Sequence, residues 1–216
     1  MSCSYKEVEK NQNFLHENKT KDISTLTSLV SILERSSQQL KNKWSKQLLY
    51  KLYIIHNRFN TAHCNVCIDS LKVDENNNLV LINSSGNKGC NKISMNGCDR
   101  FKAPEVIEKS RISKAGDIWA TGICIYYIIN STFPWKTATK SDKNFCLWAD
   151  KGVLPKSVNN PYTRVLRRML CIDYKVRPSI KRVIRVTMDA GKDKNAISKL
   201  NLLIKLFKIY LIIFYR

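Results

Sequence analysis

His63-Cys64-Asn65-Val66-Cys67-Ile68-Asp69-Ser70 runs into Leu71-Lys72-Val73-Asp74-Glu75-Asn76-Asn77-Asn78-Leu79-Val80-Leu81-Ile82 and stops at Asn83-Ser84-Ser85-Gly86. The middle of this run is a hairpin in outline. Two short apolar segments, near 71–74 and 79–82, flank Asp74-Glu75-Asn76-Asn77-Asn78, a turn built largely from residues that tolerate left-handed backbone. The octet before it and the polar segment after it read as loops, so a small strand pair is expected between two stretches of irregular chain.

Outward from the hairpin, the pattern becomes helical. Upstream, Leu29, Ile32, Leu33 and Leu40 suit a helix over 28–40, with Thr25 or Thr27 as its cap. Trp44, Leu48, Leu49, Leu52, Ile55 and Phe59 recur by fours and threes and predict a second helix over 42–58. Residues 1–24 form a polar lead-in. Downstream, 83–102 holds three of the seven glycines and reads as a long loop. Ala103-Pro104-Glu105 opens a short helix, with proline at home in the first turn. Asp117 to Ile129 is too short to cross a bilayer and is expected as a central helix buried nearly all round, ended by Phe133-Pro134-Trp135. Further helices fall near 141–150, 162–170 and 178–187. A polar linker (188–196) then leads to an amphipathic, apolar tail helix over 197–216, expected to pack on the domain, lie on a membrane surface or meet a partner.

The chain has 216 residues, 44% of them apolar and 25% charged, which is globular material for one domain plus a tail. Its formal charge of +20 suits an anionic partner, nucleic acid or lipid, or reflects only the abundance of lysine. No signal-peptide core is visible, so the eight cysteines are expected as thiols inside the cell, in cytoplasm or nucleus. Cys64 and Cys67 form a lone C-x-x-C. Cys90 and Cys98 are too widely spaced to complete a tetrahedral zinc site, so no metal is expected.

The octet, hairpin and closing segment together resemble the catalytic and metal-binding segments of eukaryotic protein kinases: H-R-D-[LI]-K-x-x-N, a strand pair, then D-F-G. Three further landmarks follow in the family's order. Ala103-Pro104-Glu105 resembles A-P-E, Asp117 with Trp119 and Gly122 resembles D-x-W-x-x-G, and Arg177-Pro178-Ser179 resembles R-P-[ST]. Phe133-Pro134-Trp135-Lys136-Thr137-Ala138, then Asp142, Phe145 and Trp148, is similar in pattern to the SH3-domain-binding serine/threonine kinases. The resemblance covers about 27–187. It implies a mainly α fold over 25–187: a kinase-like C-terminal lobe with a short β-hairpin, the small N-lobe missing. No glycine precedes Gly86, so the glycine-rich phosphate loop of that lobe has no counterpart in residues 1–62.

The resemblance also divides the landmarks by role. It implies structural work for His63 under the catalytic loop, for Asp117 as acceptor of that loop's backbone, and for Glu105 and Arg177 as an internal ion pair. It puts the family's base at Asn65, the phosphate-contacting lysine at Cys67, and the two metal ligands at Ser70 and Asn83. An amide has no useful basicity, and loss of a general base costs ~10²–10⁴-fold. Magnesium prefers hard anionic oxygens, which Ser70 and Asn83 do not carry; Asp69 stands one residue away from the metal position. ATP and magnesium are therefore expected of the family and not of this chain.

The expected function is that of a catalytically inactive, pseudokinase-like binding or decoy protein, docking on a kinase or a kinase substrate through surface left open by the absent small lobe. By analogy with shortened kinase relatives of large DNA viruses, a viral setting fits. Two alternatives are a kinase relative with residual ATP binding, and a basic binder of nucleic acid or membrane surface. The run Arg164, Arg167, Arg168, Lys175, Lys181, Arg182 and Arg185 is either solvated surface or a site for an acidic or phosphate-bearing partner.

Overall fold

Two adjacent serines shape the first part of the chain. Ser36 Oγ donates to the Ile32 carbonyl (2.7 Å), and Ser37 Oγ accepts from Leu40 N–H (3.3 Å). Serine hydroxyls compete with the helical ladder and favour its ends, so one helix stops and another starts. The computed structural model describes residues 25–82, 99–156 and 162–190, with side chains up to 187. In it the helix expected over 28–40 is a short α1 (Leu29–Leu33), and Leu40 belongs to α2 (Gln38–Tyr53), which closes in a π-turn over Ile54–Arg58. The N-cap position of α1 is Ser28, not Thr25 or Thr27, and its side chain makes no capping bond. Thr27–Ser28 is instead a strand, β1, paired antiparallel with β2 (Leu71–Val73), which pairs in turn with β3 (Leu79–Leu81). The expected hairpin is thus part of a three-stranded sheet, because the segment before α1 is extended and meets the free edge of β2.

The turn between β2 and β3 folds around Asp74, whose Oδ1 accepts from Asn76 and Asn78 N–H (both 2.9 Å), while Asn77 takes the left-handed conformation (φ 56°). Helix α2 holds this turn in place. Trp44 Nε1 donates to the Asn77 carbonyl (3.2 Å), and Gln47 accepts from Leu79 N–H (2.8 Å) and donates to Asn78 Oδ1 (3.1 Å).

Beyond the sheet come α3 (Pro104–Lys109), α4 (Lys114–Asn130), α5 (Lys143–Lys151), α6 (Thr163–Met169) and α7 (Ile180–Ala190). Ser113 and Asp142 cap α4 and α5, each accepting backbone N–H groups of the first turn. Helix α4 is the axis of the core, buried continuously from Asp117 to Tyr126. It packs against α2 and α6, while α2 also packs against α7 and β3. The helix ends at Ser131 in the left-handed region (φ 56°), ahead of the Phe133-Pro134-Trp135 stop read from the sequence. Helix α7 runs on to Ala190, past the expected linker start at 188. The aromatic spacing after α4 has a packing reason. Trp135 lies 5.4 Å from Phe145 and 6.4 Å from Trp148, ring centre to ring centre, and Asp142 also accepts from Lys136 N–H (2.8 Å), tying the cluster to the start of α5.

Within the sheet Leu71, Val73 and Leu79 are buried. The exposed large apolar side chains among the described residues are Val30, Ile112, Leu147, Val153, Ile172 and Val176, of which the last two share the connection between α6 and α7. The alternating strand pattern turns the sheet's large side chains inward, and α1 packs on β2 and on the turn before it. The 1–24 lead-in, Asn83, Cys90, Cys98 and the 197–216 tail lie outside the described residues, as does most of the 83–102 loop, whose end is a 3-10 turn over Asp99–Phe101.

Candidate functional site

Asp117, in the first turn of α4, organises the His63–Ser70 loop. Its carboxylate is buried and accepts three hydrogen bonds: from His63 N–H (2.6 Å), Cys64 N–H (2.8 Å) and His56 Nε2 (2.8 Å). Charge-assisted bonds of this kind are short and about twice as strong as neutral ones. They hold Cys64 in the left-handed conformation (φ 67°), which is uncommon for a side chain larger than glycine. His63 is buried beneath the loop, and its Nδ1 accepts from Asn65 N–H (3.3 Å). Burial lowers the His63 pKa, helped by the nearby His56 and opposed by Asp117, so the ring stays neutral as an acceptor must. Lys114 bridges from α4 to the other side of the loop, donating to the His56 carbonyl (2.8 Å) and Asn60 Oδ1 (2.7 Å).

Ser70 turns inward. Its Oγ donates to the Cys67 carbonyl (2.7 Å) and accepts from Cys67 N–H (3.4 Å), closing the 3-10 turn Ile68–Ser70 on itself. Cys67 is 4% exposed and belongs to the apolar core. Asn65 is half-buried and lines a cavity of about 60 Å³ between the loop, α3 and α4. Asp117, the one carboxylate in that lining, is engaged by the three donors above; Lys102, also in the lining, pairs with Asp99 at 2.6 Å. Asp69 points to solvent.

Glu105 and Arg177 meet inside the domain. Arg177 Nη1 donates to Oε1 (2.6 Å) and Nη2 to Oε2 (2.8 Å), a two-pronged pair with side chains 0% and 6% exposed. The remaining guanidinium hydrogens go to the carbonyls of Cys171 (2.7 Å), Ala115 (3.0 Å) and Ile172 (3.3 Å), and the guanidinium lies 4.8 Å from the Trp119 ring centre. One ion pair thus joins α3, α4 and the α6–α7 connection.

The protein kinase domain family matches residues 7–187 of the chain. The chain belongs to that family. The match includes residues 7–24, set apart as a lead-in by the sequence reading. Similar proteins include a mouse protein named serine/threonine-protein kinase SBK1, 28% identical over 111 residues (45% of this chain, 26% of the relative). Hormonally up-regulated neu tumor-associated kinase homolog B of Xenopus laevis is 25% identical over 161 residues (70% and 26%). Mitogen-activated protein kinase kinase kinase 18 of Arabidopsis thaliana is 30% identical over 107 residues (46% and 30%). The chain therefore spans less than a third of the length of these relatives.

A kinase domain that transfers phosphate uses magnesium and a nucleoside triphosphate. The residues described here do not fit that group. The inward-turned Ser70 hydroxyl is engaged within its own turn and carries no charge, and Cys67 is small, apolar in its setting and buried. Among the described residues no cluster of three His, Cys, Asp or Glu side chains could hold a metal ion. No helix among them is long and apolar enough to cross a membrane.

His56 and Lys114 escaped the sequence reading, although His56 had a signal: it stands four residues after Leu52 on the buried side of a helix, where a polar side chain needs a partner. Gln47 had no such signal. Its two bonds to the hairpin turn exist only because distant segments meet.

Proposed function

We propose that this kinase domain acts by binding other proteins and does not transfer phosphate. The observation that carries the reading is the contrast around one loop. The buried carboxylate that shapes it accepts three hydrogen bonds from that loop and from His56, while the positions facing the chemistry offer an amide, a thiol and a self-bonded hydroxyl. A kinase base is a carboxylate that accepts or orients the substrate's hydroxyl proton, and the lining of the loop cavity leaves none available. The framework and the chemistry are separable in energy as well. The Asp117 and Glu105–Arg177 bonds stabilise the fold whether or not nucleotide is present.

The purified full chain tests this with a thermal melt in magnesium-ATP and a radiolabelled phosphotransfer assay on a generic protein substrate. A ligand present at 100 times its Kd raises stability by ~2.7 kcal/mol, so even millimolar nucleotide should leave the melting temperature unchanged, with no label transferred. A clear upward shift, or labelled product that disappears in an Asp117-intact, Asn65→Ala variant, would refute the reading.

A further inference from the structure

We propose that the cleft between α6 and the start of α7 binds a phosphorylated segment of a partner protein, its phosphoryl group held by Arg167, Arg168, Lys175 and Arg182. The cleft, about 580 Å³, lies away from the loop described above and falls within the ~300–1,000 Å³ range of ligand sites. Its floor is Arg177, whose guanidinium is already neutralised by Glu105 and bonded to carbonyls. The four cations above are different: they come from the end of α6, the connection and the first turn of α7, all are exposed, and none pairs with an acid among the described residues. Asp173 is the single acidic residue in 162–187; it is exposed, and its Oδ1 accepts from Lys175 N–H (2.9 Å). Gathering four like charges in one concavity is unfavourable until an anion enters. Three of the four are arginines, whose planar forks match phosphate oxygens in pairs.

The apolar part of the cleft selects the class of partner. Val176, 65% exposed, has the largest exposure of any large apolar side chain among the described residues, and it lines this cleft; Ile172 of the same connection is 39% exposed. A peptide can cover an aliphatic side chain with one of its own next to the phosphoryl group. A sugar-phosphate backbone or a headgroup layer offers no aliphatic side chain in that position. Nucleic acid would also favour cations strung along a face over four collected in one concavity.

The proposal extends the docking half of the function above and is independent of the lost chemistry. ATP binding would leave this cleft standing, and an empty cleft would leave the magnesium-ATP result untouched. The test uses the full chain at physiological salt with a fluorescent pool of short peptides carrying a central phosphoserine and random flanks. The same pool without phosphate, a labelled oligothymidylate and phosphatidylserine-containing vesicles run beside it. The phosphorylated pool should bind at least about tenfold more tightly than its unphosphorylated match. Arg168→Gln with Arg182→Gln, checked for an unchanged melting temperature, should weaken binding by about tenfold for each guanidinium lost. Lys140→Gln with Lys143→Gln, the same charge change on exposed lysines elsewhere, should leave binding unchanged, and Val176→Ser should weaken the peptide pool but not the oligonucleotide. Equal binding of both pools, an equal loss in the Lys140/Lys143 control, or tighter binding of oligonucleotide or vesicles would each overturn the proposal.

Discussion

Replacing Glu105 by Gln asks what one buried charge contributes. The side chain keeps its volume, so no cavity forms, and one amide oxygen remains to accept from Arg177. The carboxylate charge is lost, and a guanidinium with 0% exposed side chain is left with the carbonyls of Cys171, Ala115 and Ile172 and the Trp119 face. Removing one partner of a buried pair costs about 3–5 kcal/mol. The three surviving carbonyl bonds place Glu105→Gln near the lower end, about 3 kcal/mol, a large share of the ~5–15 kcal/mol that holds a domain together. Arg177→Met removes all of these bonds at once and strands the carboxylate, so it should cost more, about 4–5 kcal/mol. The double variant Glu105→Leu with Arg177→Met should be less destabilised than the sum of its single changes, by about 1–3 kcal/mol. Urea unfolding followed by tryptophan fluorescence reads all of this. If Glu105→Gln cost under about 1 kcal/mol, as expected of an exposed pair such as Asp99–Lys102, or if the double variant were additive, the pair would not be the clamp described here.

Two other outcomes follow from the geometry. A Cβ on Gly122 would meet Leu170 Cδ2 at 3.0 Å and Met169 Cβ at 3.3 Å, so Gly122→Ala should push α4 from the end of α6 and cost about 1–3 kcal/mol in a urea melt; a neutral result would show that Leu170 swings aside. Because burial holds the folded His63 pKa below the ordinary 6.5, the unfolded chain takes up a proton first as pH falls. Stability should then decline below about pH 6.5, by at most ~1.4 kcal/mol per pH unit for one proton. His63→Gln, which keeps an acceptor for Asn65 N–H, should reduce that slope, and superimposable pH profiles for the two proteins would contradict it.

Much of this protein is local and was readable from its residues. The alternation around Asp74-Glu75-Asn76-Asn77-Asn78 marks a strand pair, the apolar run from Asp117 marks a buried helix, and ordered landmarks mark the kinase domain. Period and turn chemistry act over a few neighbouring residues, so they survive in one dimension. Where the reading slipped, a longer-range or competing effect was at work. Ser36 and Ser37 divided one expected helix, and β2 drew Thr27–Ser28 into a third strand. The residues alone determined which groups occupy the loop from His63 to Ser70, and so the absence of a basic carboxylate at Asn65. Only the folded arrangement decided that Asp117 accepts from His56, His63 and Cys64, that Ser70 closes on its own turn, and that four cations from separate segments share one cleft. Hydrogen bonds and charges act through space, and their partners lie up to 120 positions apart along the chain.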